Sequence, residues 1–477
     1  MAHRAGFKSC TAYNEEMTGL TLNKSGSTIA ALATAPAPAG LAVIRVSGSG
    51  CRKLLPLFFR GNKDPLTRPR EMIYGEILNP TDSELLDHGM VVFMKSPASF
   101  TGEDVIEFHL HGSPLLARQL LKALYTQGVQ PAVPGEFSQR AFLAGKMDLL
   151  QVEALSEIIH ANSERALRVA QRQLKGSLSK IVDQVGEPLR DVLAEIEASV
   201  DFPEEDIEPE KIATISKTIS KCREQLARLL ETSSYGDVLR DGFRVLICGL
   251  PNAGKSSLLN LLVGEERAIV SDISGTTRDL IEVNSQIEGL KMIFCDTAGI
   301  RETDDSVEQI GVRLARDRIQ WADHILLVVD SANPEQYQFL LAELLSAEAR
   351  FSLIWNKADL VKPEKIEDLD SDSQLLISTK NGDGIETLRA TLVKIVEHYL
   401  PDQADSGEIV VQERQQLCLR AGIEALEKVE QAVFDHLPLE FISAELRIAL
   451  RNIEELIGKT YTEDILGRIF SKFCIGK

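Results

Sequence analysis

The sequence predicts a multidomain chain: an N-terminal α+β domain, a discontinuous all-α helical domain, and a P-loop α/β domain inserted into the helical one. Three observations carry this. The chain has 477 residues, room for about three domains at roughly 100–200 residues each. Its hydrophobic period shifts from short β-rich runs to three- and four-residue spacing near Asp148, and back to short buried runs at Phe243. Neither helical flank of the α/β segment is long enough for a comfortable core alone. The two are therefore expected to share one, which an insertion with closely placed ends permits.

Taken in order, residues 1–25 form an N-terminal extension without the apolar core of a signal peptide. Glu15 and Glu16 also fit an acid-poor transit peptide badly. Met17 is an alternative start. Residues 26–142 mix the runs LAVIRVSG, HGMVVFM and EDVIEFHLHG with one apolar helix, SPLLARQLLKALYTQG, and read as α+β. Residues 143–238 read as long amphipathic helices, broken by the acidic run from Asp201 to Pro209. Residues 239–400 carry FRVLICG, MIFCD, HILLVVD, FSLIWNKAD and QLLIS between helical stretches, the pattern of a doubly wound sheet. A polar linker, PDQADSG, starts the last segment, 401–477, which is helical again.

Composition removes several function classes. A formal charge of −19 argues against whole-surface binding to a nucleic-acid backbone and leaves room for a basic partner or a local basic groove. The 7 cysteines are scattered without a CxxC pair, which excludes a disulfide framework or a structural zinc and indicates a reducing compartment. The most apolar stretch, Thr28 to Val46, is interrupted by Pro36, Pro38 and Arg45, so no membrane span is expected. A cytoplasmic protein is the expectation.

Gly249-Leu-Pro-Asn-Ala-Gly-Lys-Ser256 follows a strand run and opens a helical one. This is the context of a phosphate loop, in which backbone N–H groups converge on phosphates and Lys255 adds a point charge. Asn252, Ala253, Gly254, Lys255, Ser256 and Ser257 are its candidate contacts, with Ser256 a ligand for Mg²⁺. Asp296-Thr297-Ala298-Gly299 falls at a strand end and suits the metal shell and the terminal phosphate. Asn356-Lys357-Ala-Asp359 follows a later strand, and an Asp359 carboxylate accepting two hydrogen bonds selects guanine over adenine. Ser378-Thr379-Lys380 suits the loop over the base. In the segment Ser271 to Asp279, Ser271, Thr276 and Thr277 are candidate GTP contacts, and Thr277 is a second Mg²⁺ ligand. Ile300 stands where Ras-like enzymes place the glutamine that orients water, so another group must do this or hydrolysis is slow. Asn252 reads either as a loop-stabilising amide or as a ligand for a monovalent cation.

The motifs GLPNAGKSS, SGTTRD, DTAGIR and NKAD, the upstream PGEFSQRAFLAGKMDL and the terminal FCIGK together resemble the bacterial tRNA-modification GTPase family MnmE, also called TrmE, over Thr28 to Lys477. The last two motifs are foreign to generic GTPases. The resemblance implies a folate-binding-like N-terminal domain, a discontinuous helical domain and an inserted G domain. It implies K⁺ held by Asn252, Ser271, Ile273 and Thr276, with Ser271 replacing the usual threonine, and K⁺-dependent G-domain dimerisation. It places the water-orienting acid on Glu308, which by itself reads more readily as a solvated acid in a switch loop. Arg45, Glu107, Lys146 and Lys477 fall on the family's positions for a formyl- or methylene-tetrahydrofolate.

Cys474 reads as an inert helix-end thiol or as a reactive one beside Lys472 and Lys477; the family treats it as needed for modification. A homodimer working with the flavoprotein MnmG (GidA) would add an aminomethyl-type (carboxymethylaminomethyl) group to C5 of the wobble uridine of certain tRNAs. FAD and NADH would sit on that partner, and glycine or ammonium would supply the nitrogen. Arg165, Arg168 and Arg172 share a helix face that reads as solvated or as a dimer contact. Rival readings are a ribosome-assembly GTPase of the Era or EngA kind and a stand-alone folate enzyme.

Overall fold

The computed structural model describes residues 26–201, 209–264, 282–296, 319–333, 337–363, 373–398 and 410–477. It divides into two compact units, Met1–Ser156 with Ile457–Lys477, and Glu157–Leu456.

The first unit is built on a seven-stranded sheet in the order β3-β4-β5-β6-β2-β1-β7. Its strands are β1 (Ile29–Leu32), β2 (Leu41–Ser47), β3 (Phe59–Gly61), β4 (Ile73–Leu78), β5 (Leu85–Met94), β6 (Val105–His111) and β7 (Gln130–Pro131). All pairings are antiparallel except β1 with β7. Alternation decides which face is covered: Ile44, Val46, Ile106, Phe108 and Leu110 are buried from two adjacent strands. Helix Pro114–Thr126 closes that face with Ala117, Leu120 and Leu124, started by Ser113 as N-cap and proline at the first position. The C-terminal residues join this unit. Leu466, Ile469, Phe470 and Phe473 cluster with Phe142, Leu149 and Val152.

The second unit joins helices from both sides of the α/β segment. Helix Ser177–Asp201 buries Leu178, Val182, Val185, Leu189, Val192 and Ile196 along one face. Helix Pro209–Glu231 packs on it and on Glu413–Phe434, which follows the α/β segment in the chain. Arg223 meets Glu430 at 2.9 Å, Arg190 meets Glu454 at 3.2 Å and Arg447 meets Glu197 at 2.8 Å, each pair linking the two segments. The all-α part is thus discontinuous, and the α/β part is inserted in it.

The inserted sheet runs β13-β12-β11-β8-β10-β9, from β8 (Phe243–Cys248), β9 (Glu282–Ile287), β10 (Leu290–Asp296), β11 (His324–Asp330), β12 (Phe351–Asn356) and β13 (Gln374–Leu376). All neighbours are parallel except β9 with β10. Such strands lie between helices and read as continuous apolar runs. Val169 of helix Glu164–Leu174 enters this core beside Tyr235, Val238 and Phe243. Arg165 of the same helix donates its backbone N–H to Gly289 and meets Glu397 at 3.2 Å. Of the arginine stripe, Arg165 is therefore an intramolecular contact, while Arg168 and Arg172 are exposed. Among the described residues, no helix is long and apolar enough to cross a membrane.

His324 opens β11 with 5% exposure. Its Nε2 lies 2.9 Å from Ser352 Oγ, and Nδ1 has no partner among the described residues. Burial, with Arg350 nearby, lowers its pKa from 6.5 to about 4. The folded state favours the neutral ring, so the stabilisation is complete above the unfolded pKa and is lost as pH falls toward 4. The loss should reach on the order of 3 kcal/mol. Urea unfolding at pH 7.5 and 5 should show a smaller pH effect in His324→Gln than in wild type; equal effects would refute the assignment.

Candidate functional site

The carboxyl ends of β8, β10, β12 and β13 bring the described nucleotide candidates to one edge of the sheet, as expected where parallel strands deliver loops to one side. After β8 the chain turns at Gly249, φ 146°, where a Cβ would stand 2.2 Å from the Val328 carbonyl oxygen. Asn252 is left-handed at φ 63° and exposed. Gly254, φ 94°, is the N-cap of helix Lys255–Val263. A Cβ there would stand 2.1 Å from Asn356 Nδ2, so this position requires glycine. Lys255 is buried and its Nζ donates to the Leu250 carbonyl at 2.9 Å, curling back over the loop. Ser256 and Ser257 are exposed in the first helical turn, where N–H groups and the helix dipole favour phosphate.

Asn356 ends β12 with 0% exposure. Its Nδ2 donates to the Ala253 carbonyl at 2.8 Å, and its Oδ1 accepts from the Thr379 N–H at 3.0 Å. One amide therefore ties the phosphate loop to both base loops. Ser378 Oγ donates to Asp359 Oδ1 at 2.7 Å and accepts from the Asn381 N–H at 3.3 Å. Asp359 and Lys380 are exposed beside it. Lys357 Nζ meets Asp330 Oδ2 at 2.6 Å. Burial works to raise the Asp330 pKa, but the Lys357 contact and the Ala332 N–H outweigh it and hold the carboxyl below the ordinary value. Asp330 escaped the sequence reading, since it reads as the last residue of a strand. The available signal was an acid ending the run before the NKAD strand.

Asp296 ends β10 and pairs in register with Ile247, just before the phosphate loop. Ser271, Ile273, Thr276, Thr277, Thr297, Ala298, Gly299 and Glu308 lie outside the described residues. Of the residues assigned to Mg²⁺ and K⁺, the site thus presents Ser256 and Asn252.

The first unit holds a second constellation. Arg45 on β2 and Glu107 on β6 are register partners and form a salt bridge at 2.8 Å. The Arg45 guanidinium lies 5.8 Å from the ring centre of Phe100 and 5.7 Å from that of Phe137. His109 Nε2 lies 3.5 Å from the other Glu107 oxygen. His109 first, and Arg45 with it, hold the Glu107 carboxyl below its usual range against the effect of burial. Arg45 Nη1 also reaches the Gly476 carbonyl at 3.5 Å, so the C-terminal tail is brought here. Lys477 follows, partly buried, and Cys474 is exposed. Lys146 is exposed, its stem close to Gly102.

The fold and the loop set define a P-loop GTPase with an inserted G domain. Two family models match the chain: "MnmE helical domain" over residues 149–474 and "GTP-binding protein TrmE N-terminus" over residues 28–146. The tRNA modification GTPase MnmE of Geotalea uraniireducens is 40% identical over 455 residues, covering 94% of this chain and 99% of the relative. That of Magnetococcus marinus is 38% identical over 460 residues, covering 94% and 97%. The chain belongs to the MnmE family of tRNA modification GTPases. Among solved structures, the G domain of the T. maritima FeoB iron transporter is 28% identical, with a TM-score of 0.25, and covers 32% of this chain and 98% of its own.

Gly254→Ala adds a Cβ where Asn356 Nδ2 stands, so both Asn356 bonds must shift. Affinity for a fluorescent GDP analogue should fall at least roughly hundredfold, given a strained φ and both hydrogen bonds of a buried amide disturbed together. Titration by fluorescence checks this; affinity close to that of wild type would refute the packing argument.

Proposed function

We propose that this protein hydrolyses GTP to drive the aminomethyl-type (carboxymethylaminomethyl) modification at C5 of the wobble uridine of certain tRNAs, in the cytoplasm and with the flavoprotein MnmG as partner. The reading rests most on the convergence at Asn356 of a phosphate loop and two base loops, in a chain of this family. Residues 239–400 act as the G domain, 143–238 with 401–477 as the helical domain, and 26–142 as the folate-binding-like domain.

The residues carry the roles as follows. Lys255 turns from the Leu250 carbonyl to the outer phosphates, where the helix N-terminus already favours negative charge. Asp359, steadied by Ser378, accepts two hydrogen bonds from the guanine edge, and adenine would leave those acceptors unpaired. Ser256 and Thr277 hold Mg²⁺, and Asn252, Ser271, Ile273 and Thr276 hold K⁺; these ions neutralise charge on the phosphates. The exposed Ser256 hydroxyl and Asn252 amide fit oxygen-seeking cations. Glu308 orients the attacking water, a role closed to Ile300. G-domain pairing within a homodimer then works as a conformational cycle rather than as chemistry on RNA.

In the N-terminal domain, Arg45, Lys146 and Lys477 suit the glutamate carboxylates of a folate, and Glu107 suits pterin amino donors. A Glu107 carboxyl held in its charged form supports the acceptor role. The tail contact between Gly476 and Arg45 supports a role for Cys474 near the one-carbon unit.

Nucleosides of tRNA from cells lacking the protein, complemented with wild type or Cys474→Ser, should be measured by mass spectrometry. The C5 aminomethyl-type uridine should disappear and return only with wild type. Return with Cys474→Ser as well would remove the cysteine from the chemistry. Unchanged nucleosides with unassembled ribosomal subunits would replace this reading by the assembly-GTPase one.

A further inference from the structure

We infer that Asp330 is a positioning residue for the nucleotide: it holds Lys357 across the end of the sheet so that the lysine stem forms a ledge for one face of the purine. This rests on the guanine-nucleotide reading and adds a residue to it. β11 and β12 are parallel neighbours, and Asp330 pairs in register with Asn356. The Ser331 N–H donates to the Asn356 carbonyl at 3.0 Å, which locks the two strand ends together. Lys357, the next residue, is left-handed at φ 62°, a conformation uncommon for residues other than glycine. Its side chain reaches back over β11 and ends on Asp330 Oδ2 at 2.6 Å. Ser378 and Asp359, the edge-reading pair, belong to loops on the opposite side of β12, toward β13.

The carboxylate is itself fixed. Asp330 Oδ1 accepts from the Ala332 N–H at 3.0 Å, and the Asn333 N–H donates to the Asp330 carbonyl at 3.0 Å. Asp330 and Asn333 also line a cavity of about 330 Å³ with Leu250, Asn252 and Tyr337. Among the described residues Asp330 is the acid that pairs with the Lys357 ammonium, so loss of the carboxylate frees the stem. Lysine stems cover flat apolar surface while the charged end stays paired or wet. A stem pinned at its end covers it with less conformational freedom to lose.

The test uses the full chain and calorimetric titration with GDP and with inosine diphosphate, which lacks the 2-amino group that Asp359 reads. Asp330→Asn keeps the acceptor for Ala332 and removes the charge. Its Kd should rise roughly tenfold for both diphosphates, the worth of one charge-assisted hydrogen bond. The GDP to inosine diphosphate ratio should stay within about twofold, because the purine face rather than its edge is affected. With Lys357→Met already in place, Asp330→Asn should add nothing further, a result that a purely structural role at the strand end would not give. Wild-type affinity in Asp330→Asn, or a full penalty that persists in the Lys357→Met background, would overturn the inference. A wild-type chain that binds neither diphosphate would instead overturn the guanine-nucleotide reading, and this inference with it.

Discussion

The nucleotide site depends on one buried amide. Asn356 has no exposure, and a buried carboxamide is costly unless both of its ends are satisfied. Here the donor end holds the phosphate loop at Ala253 and the acceptor end holds the Thr379 backbone. Three loops that leave three different strands are set in mutual register by a single side chain. The requirement passes outward, because Gly254 must lack a Cβ for Asn356 to stand where it does. Lys357 and Asp359 then follow from the same strand end, each held by one partner from another element.

Motifs whose chemistry depends on local spacing were legible. A glycine-rich turn between a strand run and a helical run reads as a phosphate loop wherever it lies in space, and the change of hydrophobic period separated α/β from helical segments. Features that depend on strand register were not legible. Arg45 and Glu107 could be named as candidates, but that they face each other across β2 and β6 follows only from the pairing. Asp330 was invisible because HILLVVD describes a buried parallel strand, and its last residue gains a partner only through the β11–β12 register and the left-handed Lys357. Arg165 misled for a related reason. Its helical spacing drew a charged stripe, whereas the neighbouring Val169 enters the sheet core and carries Arg165 onto Glu397.

The segment PGEFSQRAFLAGKMDL, which set this chain apart from generic GTPases, has a physical account within the first unit. Glu136 accepts from the Val133 N–H at 3.0 Å and pairs with Arg140 at 2.8 Å. Arg140 also meets Glu103 at 3.0 Å and donates to the Ser27 carbonyl at 2.7 Å. Charges this poorly exposed are tolerable only when paired and hydrogen-bonded, and each of these is. The network fixes helix Glu136–Leu143, and with it Phe137, whose ring lies beside Arg45. One turn further, Phe142 enters the cluster formed with Leu466, Ile469 and Phe473.

The two diagnostic segments therefore constrain each other. A Cβ at Gly135, φ 69°, would stand 2.7 Å from the Phe470 carbonyl, and one at Gly476, φ 97°, would stand 2.4 Å from the Leu32 carbonyl. Both glycines permit a close backbone approach that any other residue would oppose; the first sets the end of helix Glu463–Phe470 against the start of helix Glu136–Leu143, and the second sets the tail against β1 of the sheet carrying Arg45. A tail seated by two such contacts presents Cys474 and Lys477 from a defined anchor rather than from a free end. The pairing of PGEFSQRAFLAGKMDL with FCIGK thus follows from packing: each supplies the surface on which the other is ordered.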